Sequence, residues 1–135
     1  MNPILWKEDY RVGVHVIDDQ HQVFFSNLNE LYMALYANKA EEWLSHVFNQ
    51  IDNYIKFHFA TEEKYFDAFK YEFREEHVKM HNEFSKKIDA LRSDFEDKKG
   101  DIAPELVKIL EDWFVNHINK ADRMYVKCFN ENGLK

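Results

Sequence analysis

Seven histidines in a chain of 135 residues are the first feature with a chemical consequence. His21, His58, Glu62, His77, His81 and His117 all fall where the apolar pattern turns a helix face inward. In His58-x-x-x-Glu62 and His77-x-x-x-His81 the two groups stand one helical turn apart on one face. A single histidine on such a face is ordinarily a satisfied core or boundary residue. Five imidazoles and a carboxylate buried together are different, because desolvating them is costly unless one partner satisfies the whole set. Imidazole suits Fe, Zn, Cu and Ni, and carboxylates bridge paired ions readily. Asp122, five residues after His117, is the nearest acidic residue on the last helix. Five residues turn an ideal helix about 140° past alignment, so this pair needs both residues to flank the inward face or the helix to bulge locally. Standing alone, Asp122 reads as a solvated residue.

Five imidazoles and two carboxylates are too many ligands for one ion. Two octahedral ions joined by two bridging carboxylates and one oxo or hydroxo bridge leave one position open. That position would lie among aromatic and aliphatic side chains, where a small neutral molecule such as O2 binds.

Four stripes of apolar residues spaced three and four apart must position these groups. They run Ile17, His21, Phe24, Leu28, Leu31, Leu35; then Leu44, Phe48, Ile51, Ile55, His58, Glu62, Phe66, Phe69. The third runs Phe73, His77, His81, Phe84, Ile88, Leu91, Phe95, and the fourth Ile102, Leu106, Ile109, Trp113, His117, Ala121, Met124, Cys128. Breaks fall at Ala37-Asn38-Lys39, near Tyr71 and at Lys99-Gly100-Asp101, and Pro104 sits in a first helical turn. The expectation is an all-α, up-down-up-down antiparallel four-helix bundle in one domain, residues 1–135. Its approximate helices are 18–38, 41–69, 72–97 and 103–130, after a non-helical N-terminal arm over 1–17. Asp18 or Asp19 is placed to cap the first helix, and Asp18 could instead orient a ligand's ring N–H. Counting from the three reversals sets the polar residues of all four stripes at one height.

Composition narrows the function classes. Only three Gly and two Pro among 45% apolar residues disfavour an all-β fold and rule out disorder. A net charge of −7 argues against nucleic acid or an anionic membrane as partner. No apolar run reaches a membrane span, and the N-terminus lacks a signal-peptide core. The single Cys128 fits a reducing compartment, so a cytoplasmic location is expected.

Several pieces together resemble the hemerythrin family, in its single-domain bacterial type: Val12-Gly13-Val14, Ile17-Asp18 with Gln20-His21, His58-Phe59 with Glu62-Glu63, His77-x-x-x-His81, and His117-x-x-x-x-Asp122. The resemblance spans essentially the whole chain and supports Asp122. It implies two Fe ions with an oxo or hydroxo bridge. His77, His81 and His117 would hold one iron, His21 and His58 the other, and Glu62 and Asp122 would bridge. It implies reversible O2 binding for storage, transport or delivery to an oxygen-consuming enzyme, without enzymatic turnover. A peroxidase, a nitric-oxide reductase or an oxygen sensor could use the same centre. Histidine-rich ligation favours Fe(II) and hence return of the ligand.

Phe59, Trp113, Phe114 and Ile118 neighbour the ligands and are read as core that doubles as the wall of an O2 pocket. His15 and His46 read as surface residues, Cys128 as a small core residue, and Glu63 as facing away or at most supporting a ligand. The layer of ligands predicts two metal ions per chain. It predicts that His81→Ala lowers metal content and thermal stability while His46→Ala changes neither; metal analysis with a melting curve checks both.

Overall fold

The structure, a computed structural model, describes residues 3–135. Four helical rods alternate in direction. The first three are α1 (His15–Tyr36), α2 (Ala40–Phe69) and α3 (Arg74–Glu96). The fourth is built from α4 (Ile102–Trp113), a π-helical stretch (Phe114–Ala121), α5 (Asp122–Met124) and α6 (Val126–Glu131). α1 packs on α2 and α4, α2 on α3, and α3 on α4, which closes the ring of a four-helix bundle. Among the described residues there is no strand.

Each reversal is made the same way. Asn38, Lys70 and Lys98 take left-handed φ of 57°, 52° and 56°. The following N–H groups, of Lys39, Tyr71 and Lys99, reach back to the carbonyls of Ala34, Phe66 and Asp94 at 2.8, 2.9 and 2.8 Å. These bonds satisfy carbonyls that a helix end leaves orphaned, and they fix where each rod stops.

The arm ends at Val14, earlier than residue 17, and carries one 3-10 turn at Glu8–Tyr10. Asp18 does not cap α1; it lies inside that helix and is buried. Its carboxylate instead holds the arm: Oδ1 accepts the Val12 N–H at 2.7 Å and Oδ2 the Gly13 N–H at 3.3 Å. Gly13 has φ +89°, a conformation that side chains resist, and this lets successive N–H groups converge on one carboxylate. Farther out, Tyr10 packs edge-on against Phe114 with centroids 4.7 Å apart, and stacks on Phe25.

The core is in two parts. Phe24, Phe48, Phe59, Phe84, Leu106 and Trp113 belong to the larger cluster. Val14, Ile17, Phe66, Tyr71, Tyr125 and Phe129 form the smaller one. Along three rods a residue of the polar layer falls between members of the two clusters: His21 between Ile17 and Phe24, Glu62 between Phe59 and Phe66, and Asp122 between Ile118 and Tyr125. Two positions of the apolar stripes are corrected. Phe73 precedes α3 and is exposed, and Met124 is exposed while Tyr125 is fully buried.

Asp18→Ala leaves two N–H groups of the arm without their acceptor. Urea unfolding of the variant is expected to show a loss of about 2 kcal/mol, the usual cost of orphaning donors to a buried charged acceptor.

Candidate metal centre

All seven sequence-predicted ligands are buried and meet in one layer. They form two groups whose donor atoms lie within 4.8 Å of one another: Glu62, His77, His81 and His117, and His21, His58 and Asp122. α2 supplies His58 and Glu62, α3 supplies His77 and His81, and α1 supplies His21. His117 lies within the π-helical stretch and Asp122 directly follows it. Hydrogen bonding from i to i+5 adds a residue to the turn, which brings two residues five apart toward one face. Of the two arrangements the spacing allowed, this is the local bulge.

Asp122 stands between the groups. Its Oδ1 lies 2.9 Å from His77 Nε2 and 3.0 Å from His117 Nε2. Its Oδ2 lies 2.9 Å from His21 Nε2 and 3.4 Å from His58 Nε2. Glu62 turns Oε1 toward His81, His58 and His77 at 2.9, 3.2 and 3.4 Å. All five histidines therefore aim the same ring nitrogen, Nε2, at the carboxylates.

Several of these atoms lack a directed hydrogen bond. Among the described residues, His77 Nε2, His117 Nε2, Glu62 Oε2 and Asp122 Oδ1 are buried without a hydrogen-bond partner. Convergent nitrogen lone pairs and carboxylate oxygens, orphaned in a dry core, are what a cation satisfies. The donor set fits a metal pair.

The opposite ring nitrogens show how two rings are held. Glu63 Oε2 is 3.0 Å from His81 Nδ1, and Gln20 Oε1 is 2.7 Å from His58 Nδ1. Glu63 thus holds the His81 ring rather than facing away. Gln20 entered the sequence reading only within the Gln20-His21 motif and was given no role there.

Aromatic rings press on the ligands. Phe59 stacks on His81 at 3.8 Å and Trp113 on His117 at 3.7 Å, both nearly parallel. Tyr54 stacks on His58 and Phe66 meets His77 edge-on. Phe114 and Ile118 are buried, but the ring contacts of Phe114 are to Tyr10, Phe25 and no ligand among the described residues. His15 and His46 are exposed, and Cys128 is half-buried beside the smaller core cluster. Tyr125, which the helical period passed over, packs against His77 at 5.7 Å. Burial, then the charges of Asp122 and Glu62, push its phenol well above the ordinary range.

Without metal, the charges hold one another. Burial and Asp122 push Glu62 up, but His58, His77 and His81 outweigh them and bring it to about 2. Burial pulls His77 down, yet the adjoining Asp122 and Glu62 carry it up to about 9. His58 is likewise raised on balance, burial notwithstanding, by Glu62 and Asp122. His117 is lowered, with burial the chief cause.

A bundle whose core is cut by a buried, histidine-rich layer with carboxylates between two clusters of donors defines a class: an all-α protein built around a paired-metal centre. The family profile described as the hemerythrin HHE cation binding domain matches residues 12–129. This chain belongs to the hemerythrin family. It is 31% identical over 126 residues to a bacteriohemerythrin of Pseudomonas aeruginosa, covering 93% of this chain and 81% of that protein. It is 26% identical to a bacteriohemerythrin of Clostridium acetobutylicum, covering 90% of this chain and 98% of that one. It is 25% identical to a myohemerythrin of Theromyzon tessulatum, covering 91% of each. The cofactor of the family is a di-iron centre, and the buried cluster is able to hold it. The matched profile is that of a cation-binding domain, which makes the chain a member of a family of binding proteins. Among the described residues no helix is long and apolar enough to cross a membrane.

The pKa directions give a pH window for the metal-free protein. His77 is raised from 6.5 to about 9, so its contribution is complete below 6.5 and is lost as pH rises through 9. Glu62 is lowered from 4.5 to about 2, so its contribution is complete above 4.5 and is lost as pH falls toward 2. Melting curves of the metal-free protein are expected to peak between these limits. Metal loading should remove the alkaline decline, because the metal then replaces the proton on His77.

Proposed function

We propose that this chain binds O2 reversibly at a di-iron centre, for storage, transport or delivery to an oxygen-consuming enzyme in the cytoplasm. In this reading His77, His81 and His117 would hold one iron and His21 and His58 the other, with Glu62 and Asp122 shared between them and a site for O2 left on the two-histidine side. The observation that carries it is the division of Asp122, with one oxygen against His77 and His117 and the other against His21 and His58. When bound, the iron pair supplies the electrons that reversible O2 capture needs.

The chain's own residues make that capture reversible. Nitrogen donors outnumber carboxylates, which favours Fe(II) and therefore release. Phe59, Trp113 and Tyr54 lie flat on three of the five rings and exclude water from that side of the layer. Phe114 and Ile118 thicken the wall from behind, with Tyr10 of the arm laid over Phe114. Trp113 is also pinned: its indole N–H donates to the Tyr54 hydroxyl at 3.2 Å, and Phe84 stacks on it at 4.1 Å.

The anaerobically reduced, iron-loaded protein is expected to be nearly colourless. Air should produce a visible band, removal of O2 should bleach it, and the cycle should repeat. Trp113→Ala should retain iron but shorten the life of the band about tenfold by admitting water. Direct, irreversible oxidation of the wild-type protein in stopped flow, with no reversible phase, would overturn the carrier reading.

A further inference from the structure

We propose that Gln20 and Glu63 are positioning residues that set the redox balance between the two halves of the metal centre; the inference rests on the di-iron reading above. Both act through ligand rings. A carboxylate can only accept, so at 3.0 Å from Glu63 Oε2 the Nδ1 of His81 carries the proton and donates it. That leaves Nε2, which faces Glu62 Oε1 at 2.9 Å, as the nitrogen that would give its lone pair to a metal once the metal replaces the proton there.

Gln20 reaches the same result by a longer chain. The Thr61 hydroxyl donates to the Phe57 carbonyl at 2.8 Å, and that carbonyl can only accept. The Thr61 oxygen is then left to accept, and the Gln20 side-chain N–H donates to it at 2.9 Å. The amide orientation is thereby fixed, with Oε1 toward His58 Nδ1 at 2.7 Å. His58 must donate from Nδ1, and its Nε2, which faces Glu62 and Asp122, would give its lone pair to a metal that replaces the proton there. His21 and His117 have no such help, since their Nδ1 atoms are buried without a partner among the described residues.

The two supports differ in charge. Glu63 is a carboxylate on a ring of the three-histidine group, whereas Gln20 is a neutral amide on a ring of the two-histidine group. A carboxylate accepting the outer N–H makes an imidazole a stronger donor, and a stronger donor favours the oxidised metal. The half that holds His77, His81 and His117 is therefore biased toward Fe(III), and the half with the open position toward Fe(II). The Glu63 side chain is 34% exposed, so water screens part of its charge and the bias is moderate.

Charge is separated from hydrogen bonding by Glu63→Gln, which keeps an acceptor for His81 and removes the negative charge. Gln20→Glu does the reverse at His58. Both are loaded with iron, analysed for metal content, and titrated by spectroelectrochemistry. Glu63→Gln is expected to raise the reduction potential and to lengthen the life of the air-produced band about tenfold. Gln20→Glu should lower the potential and shorten that life. In the zinc-loaded wild type, proton–nitrogen NMR should show slowly exchanging Nδ1–H groups on His58 and His81. Gln20→Ala should expose the first of these and Glu63→Ala the second.

Potentials that stay at the wild-type value, or that move in the same direction in both charge variants, overturn the proposal if iron is retained. So does the absence of protected N–H groups on His58 and His81 in the zinc-loaded protein. Should Gln20→Glu fail to load iron, Glu63→Gln and the NMR decide. If the potentials split as expected but oxygenation is irreversible, the carrier reading falls and this one stands.

Discussion

Two carboxylates and five imidazoles, all withdrawn from water at one height of the bundle, are the constraint on which the rest of this structure depends. Each would lose solvation by being buried alone, and the loss for an ion runs to several kcal/mol. The layer is tolerable because its members answer one another: carboxylates draw protons onto His58 and His77, and the resulting cations hold the carboxylates ionised. A metal pair answers the same set without protons. The apolar core then has to be built around this plane, and it is, as two clusters with the ligands between them.

The π-helical stretch is the local price of that arrangement. An α-helix through Phe114–Ala121 would leave His117 and Asp122 on different faces, and one carboxylate could not lie between both groups of histidines. The extra residue also shifts the phase of everything after it. Tyr125 and Phe129 take the inward positions that an uninterrupted period gives to Met124 and Cys128.

Legibility from sequence follows from how each feature is encoded. The four rods were legible because their inward stripes are long and periodic, and the buried polar layer because its residues interrupt those stripes with groups that cannot be buried singly. The spacing of His117 and Asp122 offered a bulge as one of two ways to bring them together, but not where its register would end. That is why Tyr125 was missed. Asp18 was misread because a helix start and an acidic residue suggest a cap, whereas here the acceptor serves N–H groups of the preceding arm. Gln20 was legible as part of a motif but its role was not, because that role depends on Thr61 and Phe57 of another helix, and no period in the chain connects α1 to α2 at that point.

The aromatic rings tie stability to function at this layer. Phe59 on His81 and Trp113 on His117 are packed as closely as rings stack, so neither imidazole can turn without displacing a large side chain. Hydrogen bonds hold His81 and His58 from the outside, while stacking alone holds His117. A ring fixed by stacking keeps its direction but gains no basicity, whereas a ring fixed by a carboxylate gains both. The fold thus has two independent means of orienting a donor, one neutral and one charged. Distributing them unequally around the plane sets donor strength ring by ring without changing the ligands themselves.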